Sequence, residues 1–338
     1  MTDVPPATDS PRVGGESVVP PRNKLLLLEP RQFVPPAVVT IAVLILLVAG
    51  GFTTPGFLTA DNALLIIRTT SLTGIAAIGM TFITLSGAFF SLSVEQTAII
   101  CAIVYALALS HGFGLLAALL VTAAVAVLVG AIQGGIVAAG INPIVTTLGA
   151  GAALYGLASV LSDNQLVKTG TSSASWIGQG KPLGVPTQSW AFILLWIASV
   201  VVLKKTGFGR RVMLVGANPD AAQASGISVG FVKFSAFVIS AGAAGIVAVF
   251  ITSQFEQASV LQFGDINIDA IAAVLVGGTA LQGGEGSTTR TVLGALFIAL
   301  LGNYMLLQNY GYGVRLLVTG VMVTGATSLF HVLRTRSQ

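Results

Sequence analysis

The chain has 338 residues, of which 54% are hydrophobic and only 8% are charged, and its formal net charge is +4. A soluble domain carries roughly 25% charged residues, so this composition excludes a water-soluble globular fold. The mean hydropathy of +0.91 and apolar runs of about 20 residues, the length that spans a bilayer, predict an all-α polytopic membrane protein. Alternating ten-residue segments of a β-barrel are not visible.

The apolar runs predict about ten transmembrane helices after an N-terminal tail. Residues 1–32 are rich in Pro, Ser, Gly and charge, which is typical of a disordered segment. The predicted spans are 34–53, 63–86, 93–110, 113–139, 143–161, 189–203, 230–253, 267–281, 289–308 and 313–333. Residues 63–94 fit one long helix or a broken one, and the span at 267–281 is short. Residues 33–334 are interpreted as one transmembrane domain, followed by a C-terminal tail at 335–338.

Basic residues set the predicted orientation. Lys204, Lys205, Arg210 and Arg211 follow the sixth span, and an excess of Lys and Arg marks cytoplasmic loops. Six spans before this loop and four after it put both termini in the cytoplasm. Most of the 16 basic residues then lie on the same side, so the orientation is self-consistent.

Two predicted loops are longer than a tight turn. The polar outward loop at 162–188 is large enough to contact an extracytoplasmic partner, and an ordinary solvated connector is the alternative. The cytoplasmic loop at 204–229 contains a predicted short helix at 218–226.

Capping residues define that short helix. Asn218 is a good N-cap, and Pro219 at the first helical position lacks an N–H that would be unpaired anyway. Asp220 adds a negative charge at the positive end of the helix dipole, and Gly226 can end the helix in the left-handed conformation. Two turns are not stable alone in water, so the helix packs against either a partner protein or its own chain.

The same loop resembles the cytoplasmic loop of the ribose-type permeases of ABC importers, whose pattern is roughly G-R-x-x-x-A-x-G-x-N-x-x-A-A-x-x-S-G-I. The matching residues are Gly209, Arg210, Gly216, Asn218, Ala221, Ala222, Ser225, Gly226 and Ile227, while Leu214 replaces the first alanine. Three further stretches agree in the same order: 79–82 with G-M-T-x, 180–187 with the outward loop of ribose permeases, and 269–286 with D-A-I-A-A-V-x-x-G-G-T-x-x-x-G-G-x-G. The resemblance covers roughly residues 60–330.

The resemblance implies a permease subunit of a bacterial ABC importer in the inner membrane, which moves a sugar or similar small polar solute inward by alternating access. The implied partners are an ABC ATP-binding subunit, a periplasmic or extracellular solute-binding protein, a second permease copy and membrane lipid, but no nucleic acid. The chain itself is then not an enzyme and holds no cofactor, because the partner subunit binds ATP. Docking of the ATPase, as in relatives of this fold, carries over to Asn218, Asp220, Ala221, Ala222, Ser225 and Gly226.

One stretch departs from the family pattern. Where the family has G-I-D-L-S-V-G, residues 87–95 read G-A-F-F-S-L-S-V-E. Ser91 replaces the aspartate, Glu95 replaces a glycine, and one residue is inserted before them. The departure weakens any inference of ribose as the solute, so pentoses, hexoses, polyols and nucleoside-like ligands all stay open.

Polar residues within apolar spans are candidates for a translocation path. The polar candidates are Ser86, Ser91, Ser93, Glu95, Asn142, Thr146 and Thr147, and Phe90 is a further candidate because it could constrict the path. A single intramembrane hydroxyl is more often a helix-packing group, and Glu95 could simply complement the dipole at the start of the third span. An alternative function makes Glu95 the coupling carboxylate of an ion-coupled secondary transporter.

The sequence shows no catalytic or metal-binding motif. His111 and His331 lie at opposite ends of their spans, so a paired-histidine site is not predicted. Residues 278–285 begin like a phosphate-binding P-loop, but Gly284 stands where that motif requires lysine. The chain is therefore not expected to hydrolyse ATP.

Overall fold

A computed structural model of the protein describes residues 34–170 and 174–335. In these two ranges the helices are α1 (Val34–Thr53), α2 (Ala60–Leu85), α3 (Val94–Ser110), α4 (Leu115–Ala138), α5 (Pro143–Leu161), α6 (Ser175–Gln179), α7 (Thr187–Lys205), α8 (Gly207–Ala217), α9 (Pro219–Ala224), α10 (Val229–Phe255), α11 (Ile266–Val276), α12 (Thr288–Leu307) and α13 (Tyr312–Thr335). Two short strands, β1 (Val167–Lys168) and β2 (Gln257–Ala258), pair antiparallel. The predicted tail at 1–32 lies outside the described residues.

A helix coincides with each of the ten predicted spans, which confirms the all-α polytopic membrane fold. Within the described ranges, seven helices are long and apolar enough to cross a membrane. The helices α3 and α11 are apolar but shorter, with 17 and 11 residues. The terminal helix α13 has 24 residues. The count of ten membrane crossings stays a prediction.

The stretch at 63–94 is broken, as one of the two sequence interpretations allowed. The helix α2 ends at Leu85, and α3 begins at Val94. Between them Gly87 and Phe89 have φ values of 77° and 57°, and this left-handed conformation cannot continue a right-handed helix. The predicted span at 267–281 is also corrected, because α11 ends at Val276 and Gly278 (φ 78°) starts a loop.

The helices α2 and α10 form the centre of the bundle. In the apolar windows of these two helices 61% and 67% of the residues are buried, compared with 17% in α1 and 22% in α5. Small residues allow their close contact: a Cβ atom on Gly79 of α2 would lie 2.9 Å from the Cα atom of Ser240 in α10. Helices in a membrane pack in this way because small residues let backbones approach each other.

The bundle has two distinct ends, which α10 connects. Its first residue follows α9 in the chain, and its last residue precedes β2. The 27 residues of α10 span about 40 Å at 1.5 Å per residue. We call the two ends the α9 end and the β-pair end.

Candidate functional site

The loop predicted at 204–229 folds into two helices. The short helix α9 was predicted, whereas α8 before it was not. The hydroxyl of Thr206 caps α8 by accepting a hydrogen bond from the N–H of Gly209 at 3.2 Å. The buried side of α8 carries Val212, Val215 and Gly216. This spacing of three and four residues is a helical signal, but it extends over too few residues to stand out in the sequence.

The caps predicted for α9 are confirmed. The side-chain oxygen of Asn218 accepts a hydrogen bond from the N–H of Ala221 at 3.0 Å. At the other end Gly226 is left-handed, with φ 80°, and the N–H of Ile227 donates to the carbonyl of Ala222 at 3.0 Å. This pair of features is the usual glycine-terminated helix end. Local chemistry alone thus fixes both ends of α9.

Most of the residues proposed for ATPase docking form an exposed surface. Asn218, Asp220, Ala221, Ser225 and Gly226 are all exposed. We call these five residues the α9 surface.

Ala222 is different from the other residues predicted for docking. Its side chain is only 4% exposed and belongs to the main hydrophobic core. We therefore correct its role: Ala222 attaches α9 to its own chain and offers no free surface to a partner. Of the two alternatives left open by the sequence, packing on its own chain is confirmed by Ala222, and docking of a partner on the exposed side stays a prediction.

Four glycines join α8 to two other parts of the bundle. A Cβ atom on Gly216 would lie 1.9 Å from the carbonyl oxygen of Leu85 and 2.4 Å from the nitrogen of Gly284. A Cβ atom on Gly283 would lie 2.7 Å from the Cα atom of Gly87 and 3.0 Å from the Cα atom of Gly216. Contacts this short require glycine at positions 216 and 283, and Gly87 and Gly284 have left-handed φ values of 77° and 75°, which favour glycine. We call Gly87, Gly216, Gly283 and Gly284 the glycine junction.

The glycine junction connects three segments at the α9 end. They are the last turn of α8, the chain that leaves α2, and the loop between α11 and α12. In addition the N–H of Gly284 donates to the carbonyl of Leu85 at 3.1 Å. Because backbones touch directly, without flexible side chains between them, a displacement of α8 and α9 cannot occur without moving the ends of these neighbouring helices.

The segment 86–93 turns back into the bundle after the glycine junction. The N–H of Ser91 donates to the sulfur of Met80 at 3.1 Å, and Met80 lies five residues before the end of α2, a rise of about 7 Å. The N–H of Leu92 donates to the hydroxyl of Thr147 at 3.1 Å. The helix α3 therefore starts inside the bundle, and Glu95 in its first turn lies deeper than a residue at the α9 end.

A buried polar cluster holds this segment in place. The hydroxyl of Ser93 donates to the side-chain oxygen of Gln133 at 2.8 Å and lies 3.0 Å from the hydroxyl of Ser91. From the other side, the side-chain amide of Asn267 donates to the carbonyl of Leu92 at 3.1 Å. Of the predicted path residues, Ser91, Ser93 and Thr147 are thus brought together.

Four predicted path residues do not join the cluster. The hydroxyl of Ser86 donates to the carbonyl of Ile83 at 2.7 Å, and the hydroxyl of Thr146 donates to the carbonyl of Asn142 at 2.9 Å. Asn142 itself is exposed and caps α5 by accepting from the N–H of Ile144 at 2.9 Å. Each of these groups therefore serves its own helix, and Phe90 packs half-buried against the core.

Charged residues gather next to the start of α3. The carboxylates of Glu95 and Asp265 are close enough to interact electrostatically, as are those of Asp265 and Asp269. The hydroxyl of Tyr312 donates to Asp265, and the guanidinium of Arg315 lies 5.8 Å from the centre of the Tyr312 ring. We call these five residues the charged group.

Sequence reasoning missed Gln133 and most of the charged group. Gln133 stands in the apolar run of α4, where a polar side chain is a functional candidate by default. Asp269 appeared only as part of a matched motif. These residues come from α4, α11 and the start of α13, so only the folded chain shows that they face Glu95 and Ser93.

The fold defines a multi-pass α-helical membrane protein, and comparison with known proteins identifies its class. Residues 62–327 match the sequence profile of the family described as branched-chain amino acid transport system / permease component. This match covers most of the chain. The protein belongs to this family and is a permease subunit of an ABC transporter.

Individual relatives agree with this assignment. The chain is 31% identical to the ribose import permease protein RbsC of Haemophilus influenzae over 315 residues, which are 92% of this chain and 95% of the relative. It is also 31% identical to RbsC of Escherichia coli K12 over 288 residues, 84% of this chain and 89% of the relative. The fructose import permease protein FruF of Bifidobacterium longum is 29% identical over 231 residues, 67% of this chain and 65% of the relative.

A solved structure shares the fold. An ABC transporter assigned to the metal-chelate type, captured in an inward-facing conformation, aligns with a TM-score of 0.50 and 15% identity, covering 88% of this chain and 98% of that chain. At this identity the likeness concerns the fold alone. The family assignment does not favour the alternative of an ion-coupled transporter with Glu95 as the coupling carboxylate.

Proposed function

We propose that this permease imports a sugar or a similar small polar solute across a bacterial inner membrane, with both termini in the cytoplasm. The proposed partners are an ABC ATP-binding subunit at the α9 end, a solute-binding protein at the β-pair end and a second permease copy. Support for a sugar comes from the relatives, which are import permeases for ribose and fructose.

The single observation that carries the proposal is the form of α9. Its caps fix a two-turn helix, Ala222 attaches it to the core, and the α9 surface is exposed. A helix this short is not stable unless it packs on other structure. A rigid, exposed helix with direct backbone connections to the bundle is suited to receive force from a partner.

The proposed mechanism is alternating access. Closure of the ATP-binding subunits displaces α9 and α8, and the glycine junction passes this displacement to α2 and to the loop before α12. Because the segment 86–93 contains Gly87 of the junction and continues to the polar cluster, the same displacement moves the groups that line the proposed path.

The proposed path suits a neutral solute rich in hydroxyl groups. Carboxylates such as Glu95 and Asp265 accept hydrogen bonds from hydroxyls, and Tyr312 is exposed beside them. Ser91 and Ser93 add hydroxyls that can both donate and accept. Such a set binds weakly and without strict geometry, which fits a permease whose selectivity is supplied by a separate binding protein.

Substitution of Asp220 by lysine tests the docking of the ATPase on α9. The change reverses the charge in the first turn of an exposed helix. Asp61 is a matched control, because it is an exposed acid in the first turn of α2 at the opposite end of the bundle. Both substitutions place a cation at the positive end of a helix dipole, which costs roughly 0.3–1 kcal/mol.

We expect Asp220→Lys to abolish co-purification of the ATP-binding subunit and solute uptake, while the chain still inserts into the membrane. Asp61→Lys should leave co-purification of the ATP-binding subunit unchanged. If the subunit still co-purifies with Asp220→Lys at the level of Asp61→Lys, the α9 surface is not its docking site.

A further inference from the structure

A wide groove runs along the outside of the bundle between α4 and α7. Its volume is about 830 Å³. The helix α4 packs on α10 and α7 packs on α2, so α2 and α10 form the floor of the groove. Residues on that floor include Ile78, Phe82, Gly242 and Ile246. The groove is distinct from the polar cluster around Gln133, which lies inside the bundle.

The side chains that line the groove are mostly apolar. Thr122, Thr187 and Ser199 are the side chains with hydroxyl groups in its lining. Each of these hydroxyls donates a hydrogen bond of 2.7 Å to a backbone carbonyl oxygen. None of these hydroxyls therefore has a proton left to donate to a polar solute, and burial of apolar surface is the main interaction that the groove offers.

One wall of the groove leads to a positive charge at the α9 end. Ala191, Leu195, Ala198 and Val202 of α7 line the groove with spacings of four, three and four residues, which keeps them on one side of the helix. The next position on that side is Lys205, which is exposed. From Ala191 to Lys205 the helix rises about 21 Å, more than the ~15 Å thickness of one leaflet's hydrocarbon layer.

Further cations lie close in sequence to Lys205, at the end of the groove that we call its mouth. Lys204, Arg210 and Arg211 are exposed and lie within six residues of Lys205 along the chain. Clusters of Lys and Arg at the end of a transmembrane helix bind anionic lipid headgroups. The groove thus combines an apolar channel with a positively charged mouth, which is the charge pattern complementary to an anionic phospholipid.

We propose that the groove between α4 and α7 binds an anionic phospholipid, with one acyl chain along α7 and its phosphate at Lys204 and Lys205. The acyl chain fills space that the protein leaves open within the bilayer. The lysines keep their ammonium groups at the membrane surface, where contact with phosphate requires no burial of charge. A transmembrane helix or a second copy of the chain in the groove would make no use of this positive mouth.

Two pairs of variants test the lipid site. Gly242→Leu places a side chain in the groove, since a Cβ atom there would have nothing within 4 Å. Its matched control is Gly135→Leu in α4, which has equally open space, similar burial and a position outside the groove. Lys204→Ala combined with Lys205→Ala removes the positive charge, and Lys168→Ala in β1, which is also exposed, is the control at the other end.

The measurement is native mass spectrometry of the full-length protein released from nanodiscs of phosphatidylcholine with a minor fraction of phosphatidylglycerol. We expect the wild-type chain, Gly135→Leu and Lys168→Ala to retain one phosphatidylglycerol. Gly242→Leu should lose it. The double lysine variant should retain it with roughly fivefold lower affinity for each lysine removed.

Three results would overturn the proposal. One is equal retention of phosphatidylcholine and phosphatidylglycerol by the wild-type chain, which removes the headgroup assignment. Another is unchanged retention by Gly242→Leu, which places the lipid elsewhere. The third is conversion of a dimer to a monomer by Gly242→Leu but not by Gly135→Leu, which shows that a second copy occupies the groove.

Discussion

The backbone N–H of Gly284 donates a 3.1 Å hydrogen bond to the carbonyl oxygen of Leu85, and Gly216 lies directly against both. This contact joins the end of α2 to the loop between α11 and α12 at the point where α8 ends. No side chain takes part in it. The route from the proposed docking surface to the helices that line the path is therefore made of backbone, which is stiffer than a route through rotatable side chains.

The first prediction concerns the glycine junction. Replacing Gly216 by alanine places a methyl group 1.9 Å from the carbonyl oxygen of Leu85, so the three backbones must separate. Forced repacking of this kind costs about 1–3 kcal/mol. We expect solute-stimulated ATP hydrolysis and uptake in proteoliposomes to fall at least tenfold, while the ATP-binding subunit still co-purifies because the α9 surface is intact.

Gly207 offers a matched control for this substitution. It is the first residue of α8, and a Cβ atom there would have nothing within 4 Å. Gly207→Ala should therefore transport like the wild type. Equal uptake by Gly216→Ala and Gly207→Ala would show that close backbone contact at the junction does not matter for coupling.

The contrast between α9 and the glycine junction shows what the sequence can predict in this protein. The helix α9 is defined by Asn218, Pro219 and Gly226, which act within a few residues of one another, so its bounds follow from local chemistry. The spans follow from hydropathy for a similar reason. Gly87 and Gly216, by comparison, meet through the fold, and a glycine in sequence does not show which backbone approaches it.

The position of Glu95 illustrates the same limit inside the membrane. The sequence correctly places Glu95 in the first turn of the third span. It does not show that the segment before that span turns back beside Met80, because this path depends on hydrogen bonds of Leu92 to Thr147 and from Asn267, which lie on distant helices. A hydropathy pattern therefore cannot predict how deep Glu95 lies in the bilayer.

The second prediction tests what holds the segment 86–93. Thr147→Val keeps the shape of the side chain but removes the hydroxyl that accepts from the N–H of Leu92. An unpaired N–H in this environment costs about 1–3 kcal/mol. We expect a lower unfolding midpoint in detergent and reduced uptake, and we expect Thr147→Ser to restore both because it keeps the acceptor.

The adjacent residue provides the comparison for this variant. Thr146 is also buried, but its hydroxyl donates to the carbonyl of Asn142 within its own helix. Thr146→Val should change stability by only a few tenths of a kcal/mol. Identical midpoints for Thr147→Val and Thr146→Val would mean that the hydrogen bond to Leu92 does not hold the segment.

The third prediction concerns a reciprocal amide pair between α2 and α12. The side-chain amide of Asn62 donates to Asn303 at 3.0 Å, and the amide of Asn303 donates back at 2.7 Å. Both side chains are 7% exposed. Replacing either by leucine leaves the other with buried polar atoms that lack a partner, so each single variant should lose about 1–2 kcal/mol of unfolding free energy.

The double variant distinguishes loss of the pair from loss of packing. With leucine at both positions neither side-chain amide remains to be left unpaired. The carbonyl of Phe57, which accepts from the amide of Asn62 at 2.8 Å, loses this partner in Asn62→Leu and in the double variant alike, so its cost cancels. The double variant should therefore be more stable than the sum of the single effects indicates, by roughly 0.5–2 kcal/mol in a double-mutant cycle. Thr69→Val in α2, whose exposed hydroxyl bonds within its own helix, should show no effect. Strictly additive losses for Asn62→Leu and Asn303→Leu would contradict a direct amide pair, because independent sites add and interacting ones do not.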